Sequence, residues 1–207
     1  MDIVQIRNEI PTHLSEYFAR DPNYIVWKLQ SGWKENHDAW LAHECVTEHA
    51  RADFYRHNDT YIWELANWNM EQGRWWGVTL KLAEFIKDQG IKTVVDLGGG
   101  IGTDALVIAS ILPDVEILLV EPNMVCREFF LWRRNKYGLG ERLFICEPEE
   151  YQFKRPVDLT ICLDVLEHVE RPMDLLENIL RTSRLIAMNF AGNFKPADFP
   201  MHLPKNQ

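Results

Sequence analysis

The sequence predicts an α/β fold, a parallel β-sheet covered by helices on both faces, preceded by an α-helical extension. Three observations predict it. Residues 78–190 alternate short apolar runs, rich in β-branched residues, with stretches of helical period. Those apolar runs lack the polar alternation of a half-exposed strand, so the sheet is buried on both faces, as parallel sheets are. Residues 1–76 differ in kind: they hold seven of the eight tryptophans and five of the seven histidines, little glycine and no strand-like run. With 207 residues, 46% of them hydrophobic, the chain can build one full core. The division is therefore a helical lid or extension over 1–76 and an α/β core over 77–207.

The elements follow in order. The extension predicts helices over 2–19, with Pro11 as a break or kink, and over 23–31, 35–57 and 60–72. In "WWGVTLKLAEFIKDQG", Val78, Leu82, Phe85 and Ile86 recur at helical spacing and Gly90 closes the helix. "KTVVDL" (92–97), "VEILLV" (115–120), "ERLFIC" (141–146), "VDLTICL" (157–163) and "RLIAMNF" (184–190) read as strands one to five. Helices fill the gaps at 103–112, 123–138 and 172–183, the last with Pro172 at its start.

Charge and cysteine usage exclude some roles. The net charge is −9, and nucleic-acid binding needs a basic face, so no nucleic-acid partner is expected. The densest basic run, "RRNK" at 133–136, reads as the solvated face of a helix. Cys45, Cys126, Cys146 and Cys162 show no CxxC spacing and read as reduced core thiols in a cytoplasmic protein. The opening "MDIVQIRNEIPTHL" does not read as a signal peptide. No apolar run approaches the roughly 18 residues of a membrane span, so no membrane association is expected.

The stretch "VVDLGGGIGTDA" at 94–105 carries the chemistry. Gly100-x-Gly102-x-x-Ala105 fits the GxGxxA of a dinucleotide phosphate loop, but it begins four residues after the acid that ends the strand. Counted from that acid, the pattern is Asp96-x-Gly98-x-Gly100-x-Gly102. An acid here repels pyrophosphate and suits a cation or a hydroxyl donor, while glycines let the chain turn flat beneath a ligand. Glu121 ends the second strand 25 residues later, where an acid binds ribose hydroxyls; alone it does not discriminate between ligands. The third strand ends "FICEPEEY" and the fourth runs into "CLDVLEHVERP".

Together, in this order and spacing over residues 92–190, these stretches resemble the motifs of class I, Rossmann-like S-adenosylmethionine (SAM) dependent methyltransferases. The resemblance implies strand order 3-2-1-4-5, SAM as cofactor, and methyl transfer to a small-molecule acceptor, leaving S-adenosylhomocysteine. It implies a cofactor site of Asp96, Gly98, Gly99, Gly100, Gly102, Glu121, Pro122, Glu147, Leu163 and Asp164. Glu147-Pro148 departs from the pair usual at that position. His168, after the fourth strand, is the candidate catalytic base, or else a residue that orients its loop. Trp75, Trp76 and His168 are candidates for acceptor binding. Tyr61, Trp63 and Trp68, with those two tryptophans, either wall the acceptor pocket or form the core between lid and sheet. Asp164, Glu167 and His168 resemble the metal-binding E-x-x-E-H of some relatives, but Asp164 is assigned to the SAM pocket and no metal is expected. His37, His43 and His49 are spaced six apart, which spreads them around a helix surface.

The family usually continues past the fifth strand to a seven-stranded sheet. Here "AGNFKPADFPMHLPKNQ" carries three prolines and no periodic pattern, so strands six and seven are expected to be missing. An open fifth-strand edge then has three explanations: a truncated chain, a domain from a larger assembly, or an edge covered by a homodimer, a partner or the N-terminal helices. Competing functional readings are a non-catalytic SAM-binding domain, SAM-dependent chemistry other than methyl transfer, and an NAD(P)-dependent oxidoreductase supported by GxGxxA and Glu121 alone.

Overall fold

The computed structural model describes residues 3–71, 73, 75–189 and 200–203; of these, the side chains of Trp75 and Trp76 are outside the description. Five parallel strands form one sheet in the order β3-β2-β1-β4-β5: β1 (Thr93–Leu97), β2 (Glu116–Val120), β3 (Leu143–Cys146), β4 (Val157–Cys162) and β5 (Ser183–Met188). This is the Rossmann-like order implied by the sequence. The segment in which further strands were sought lies largely outside the described residues.

The helices are α1 (Ile3–Asn8), α2 (Ile10–Phe18), α3 (Pro22–Ala42), α4 (Glu48–His57), α5 (Tyr61–Met70), α6 (Leu80–Asp88), α7 (Thr103–Ile111), α8 (Met124–Lys136) and α9 (Pro172–Thr182). A π-helical turn, Trp75–Thr79, leads into α6. No described helix is long and apolar enough to cross a membrane. Pro11 sits in the first turn of α2, just after the break it predicts.

Two helix boundaries differ from expectation. Residues 23–31 and 35–42 form one helix, because Gly32 is a contact and not a break. A Cβ on Gly32 would lie 2.7 Å from the Cβ of Trp63, so its absence lets α3 lie flush on α5. The expected helix over 35–57 divides instead at 43–47. Glu44 takes a left-handed φ of 51°, and Thr47 caps α4 by accepting a hydrogen bond from the Ala50 N–H at 3.1 Å. Phe85, placed on the apolar face by spacing, is 40% exposed.

"RRNK" is the clearest correction. Arg133 is fully buried rather than solvated. It lies one helical turn after Phe129, and helical periodicity turns it onto that ring, 5.7 Å from the centroid. Its guanidinium donates to the Ile6 carbonyl at 2.7 Å and to Thr103 Oγ1 at 3.2 Å. The cation thus fastens α1 to the start of α7. The four cysteines are free thiols, but only Cys126 and Cys162 are buried in the core; Cys45 and Cys146 are partly exposed.

Two apolar clusters bracket the sheet's carboxyl end. One joins Val94, Ile117, Leu119, Leu159 and Ile161 to Leu106, Ile108 and Ile86. The other joins Ile10, Leu14, Ile25, Leu29, Ile62 and Trp63 to Ile101 and Phe129. The N-terminal helices are thereby packed on the loop after β1. Register sets what that loop faces: Leu97 pairs with Val120 and with Cys162, so Gly98, Glu121 and Leu163 follow in one row. At Gly102, φ is +68°, and a Cβ would overlap the Phe130 ring. Gly102→Ala is expected to lower stability by about 3 kcal/mol, from backbone strain and overpacking, as measured by urea denaturation.

Candidate functional site

The loop after β1 is tied inward by its own backbone. Gly98 N–H donates to the Val120 carbonyl at 2.7 Å, Gly100 N–H to Glu121 Oε2 at 2.9 Å, and Gly102 N–H to the Gly99 carbonyl at 2.9 Å. Gly98 and Gly100 both adopt φ near +60°. A Cβ on Gly98 would stand 2.6 Å from Val165 Cγ2, and one on Gly100 would stand 2.9 Å from Leu65 Cδ1. Asp96 is 5% exposed beneath this loop, and Asp104, in the first turn of α7, accepts from Thr79 Oγ1.

Glu121 is 2% exposed, and each carboxylate oxygen takes one backbone donor. Oε2 accepts from Gly100 N–H and Oε1 from Asn123 N–H at 2.8 Å. Burial nevertheless dominates and pushes its pKa up to about 7, against the pull of those two N–H groups and Arg127. Asn123, fully buried, caps α8 with its side-chain oxygen and spends its amide on the Tyr55 and Asn58 carbonyls, at 2.9 and 2.8 Å. Asn58 donates to Asn36 Oδ1, and Asn36 donates to Glu64 Oε2. One polar chain therefore runs from the glycine loop into the N-terminal helices.

Three cavities meet here. The first, about 280 Å³, lies between Glu121, Pro122, Pro148, Tyr151, Val165 and Leu175. The second, about 70 Å³, lies over Asp96, Gly98, Gly99, Gly100 and Leu163. The third, about 400 Å³, opens under α3 and α5 among Leu29, Trp33, Glu64, Trp68, Glu167 and His202. Tyr61 and Asp164 line all three. Asp164 holds φ +54°, a strained value for a non-glycine. Asn189, just past β5, clamps it from two sides: Oδ1 accepts from Asp164 N–H at 2.7 Å and Nδ2 donates to Asp164 Oδ1 at 2.6 Å.

Most sequence-selected residues converge on this junction. Asp96, Gly98, Gly99, Gly100, Glu121, Pro122, Leu163, Asp164 and His168 all line it. Gly102 does not: it turns the chain into α7 beneath Phe130. Glu147 points to Arg127 at 2.7 Å, with Arg56 further off, and its neighbour Pro148 lines the cavity. Trp75 and Trp76, named for the acceptor, have side chains outside the described residues. Trp63 is core and Trp68 lines the third cavity. His168 Nδ1 lies 2.8 Å from Tyr55 Oη and 3.1 Å from the Met201 carbonyl. That carbonyl only accepts, so Nδ1 carries the proton. Burial, with His202 beside it, pushes the imidazole down to about 4.

Sequence reasoning missed Glu64, Asn36, Tyr55 and His202. Only Glu64 had an accessible signal, an acid amid the apolar and aromatic residues of "YIWELANW". Its carboxyl is pushed up to about 7 by burial, against the Asn36 hydrogen bond. A carboxyl that binds its proton more tightly folded than unfolded loses stability as pH rises from 4.5 to 7. Glu64→Gln keeps the acceptor for Asn36 and carries no charge. It is expected to match the parent at pH 4.5 and to exceed it by about 1–3 kcal/mol above pH 7, read from urea denaturation at both ends of the window.

No protein-family model matches the sequence, and no curated protein matches it. Solved structures do. A magnesium protoporphyrin IX methyltransferase from Synechocystis, solved with S-adenosylhomocysteine bound, aligns at 17% identity and TM-score 0.49, covering 58% of this chain and 57% of its own. The N-terminal domain of EvdMO1, also with S-adenosylhomocysteine, aligns at 21% identity and TM-score 0.47, covering 55% and 50%. An O-methyltransferase from a polyketide multienzyme of Brevibacillus brevis, in complex with S-adenosylhomocysteine, aligns at 22% and 0.45, covering 53% and 38%. The chain thus spans about half the length of the solved structures it matches.

Proposed function

We propose that the chain binds SAM at the junction of the three cavities and transfers its methyl group to a small-molecule acceptor. The observation that carries this reading is the state of the glycine loop. Three of its N–H groups, at Gly98, Gly100 and Gly102, are already spent on protein acceptors, and two acids, Asp96 and Asp104, lie beside it. A phosphate cradle needs free N–H donors and no neighbouring acid. This supports a ligand with hydroxyl and ammonium donors over a dinucleotide. The space fits it too: a Cβ on Gly98 or Gly100 would fill part of the cradle.

In this reading Glu121 accepts from ribose hydroxyls, its two oxygens each having one lone pair left after the backbone bonds. Val165, Leu175 and Pro148 sandwich the adenine, and Asp96 and Asp164 face the amino acid end. When bound, SAM supplies a methyl group already activated by its sulfonium. The chain's own work is alignment, water exclusion and the acceptor's proton. Glu64 suits that last task, because its pKa near 7 matches a base at neutral pH. His168, held near 4 and fastened through Nδ1, suits positioning instead. Tyr61, Trp33 and Trp68 give the third cavity aromatic walls, which fit an acceptor with an apolar or aromatic body. The N-terminal helices act as its lid.

Calorimetric titration with S-adenosylhomocysteine tests the cofactor. Binding to the parent is expected, weakened at least tenfold in Glu121→Ala. Hydroxyl donors favour the ionised Glu121, so affinity is expected to rise with pH through about 7. Stabilisation by NAD and not by SAM would overturn the reading. Across a panel of hydroxylated and amino acceptors, Glu64→Gln is expected to cut turnover by about 100-fold or more while leaving S-adenosylhomocysteine affinity unchanged. Equal losses in both would instead mark Glu64 as structural.

A further inference from the structure

We infer that the third cavity recognises a protonated amine, so that the acceptor is a small cationic molecule with an aromatic or apolar body. The inference rests on the reading of that cavity as the acceptor site and adds the acceptor's charge to it. Carboxyl groups of Glu64, Glu71, Asp164 and Glu167 line the cavity, and none of its described lining residues is Lys or Arg. His168 and His202 line it too. Burial pushes both imidazoles below their ordinary range, so neither brings positive charge at neutral pH. A cleft lined by one sign of charge concentrates ligands of the opposite sign.

Acids on an open surface are satisfied by water. One of these is not. Glu167 is 3% exposed, and its Oε2 is buried with no hydrogen-bond partner among the described residues. A carboxyl oxygen shut away from water without a donor costs free energy. Burial, and then the charge of Asp164, raise the pKa of this carboxyl, so its surroundings oppose its ionised form. What the group lacks is a donor, and a positive one. An ammonium N–H is both, and its hydrogen bond to a carboxylate is charge-assisted.

The aromatic walls select the same charge. Trp33 on α3 and Trp68 on α5 are 46% and 44% exposed, large rings left partly in water in the lining of one cavity. The contact at Gly32 that lays α3 on α5 sets these two helices side by side. Tyr61 adds a third ring. The face of an aromatic ring is negative and attracts an ammonium group, a gain that a neutral alcohol lacks and a carboxylate reverses. Acids and rings thus act together, and both work against an anionic acceptor. A volume of about 400 Å³ leaves room for the ring or chain that carries the amine.

The test uses the full chain saturated with S-adenosylhomocysteine, in buffer with EDTA so that no divalent ion competes for the carboxylates. Three probes of similar shape are titrated calorimetrically: 2-phenylethylamine, 2-phenylethanol and 3-phenylpropanoate. The amine is expected to bind at least about tenfold tighter than the alcohol, and the carboxylate more weakly than either. In Glu167→Gln and in Glu64→Gln the preference for the amine should fall about fivefold or more while alcohol affinity holds. Circular dichroism reports that the variants are folded. Equal affinity for amine and alcohol, no amine binding, or a preference that survives both substitutions overturns the proposal. So does a Glu167→Gln variant that loses S-adenosylhomocysteine and not the amine, because Glu167 would then serve the cofactor. Amine preference without any S-adenosylhomocysteine binding would strike the cofactor reading and leave the cation site standing.

Discussion

The carboxylate of Glu121 is the interaction on which the upper half of the molecule depends. It is a charge-bearing group taken out of water at the end of a central strand, with one backbone donor on each oxygen. Those donors come from different pieces of chain, the glycine loop and the start of α8. Asn123 carries the connection on to the carbonyls of Tyr55 and Asn58, and Asn58 and Asn36 carry it to Glu64. Buried polar chains of this kind cost most when one member is removed, because the remaining groups stay desolvated and unpaired. A well-packed apolar cluster would hold the same elements without that exposure to loss. Burial drives this carboxyl to about 7 against the pull of both N–H donors.

The same chain explains why the N-terminal helices belong to the site. They share an apolar cluster with Ile101 and Phe129, which fixes their distance from the sheet. The hydrogen bonds of Asn123 fix their orientation. Tyr61, at the start of α5, and Asp164, after β4, then become neighbours of every cavity at the junction. Asp164 is held in a left-handed conformation by the two-point grip of Asn189, so the end of β5 pays for the placement of a side chain after β4.

The sheet and its loops were legible because their signals are local. Each strand is a mainly apolar run, and the positive φ values at Gly98, Gly100 and Gly102 are written in residue type. Parallel register then carries Asp96, Glu121 and Leu163 to one edge. What escaped depends on contacts between distant residues. Arg133 looked solvated because its neighbours are polar, yet its position one turn after Phe129 turns it inward. Asn36 and Glu64 are 28 residues apart, on two helices whose flush contact at Gly32 resembles a helix break in one dimension. His202 follows a stretch without periodicity, and hydrogen bonds of Met201 and Leu203 bring it to His168.

Burial drives both Glu64 and Glu121 to about 7, in different surroundings. Glu121 is met by two fixed N–H groups and by the Arg127 charge, all of which favour the ionised form. Glu64 has a single amide donor, and His37 lends it little positive charge. It lines a cavity walled by Tyr61, Trp33 and Trp68. The two carboxyls stand at opposite ends of a single hydrogen-bonded chain.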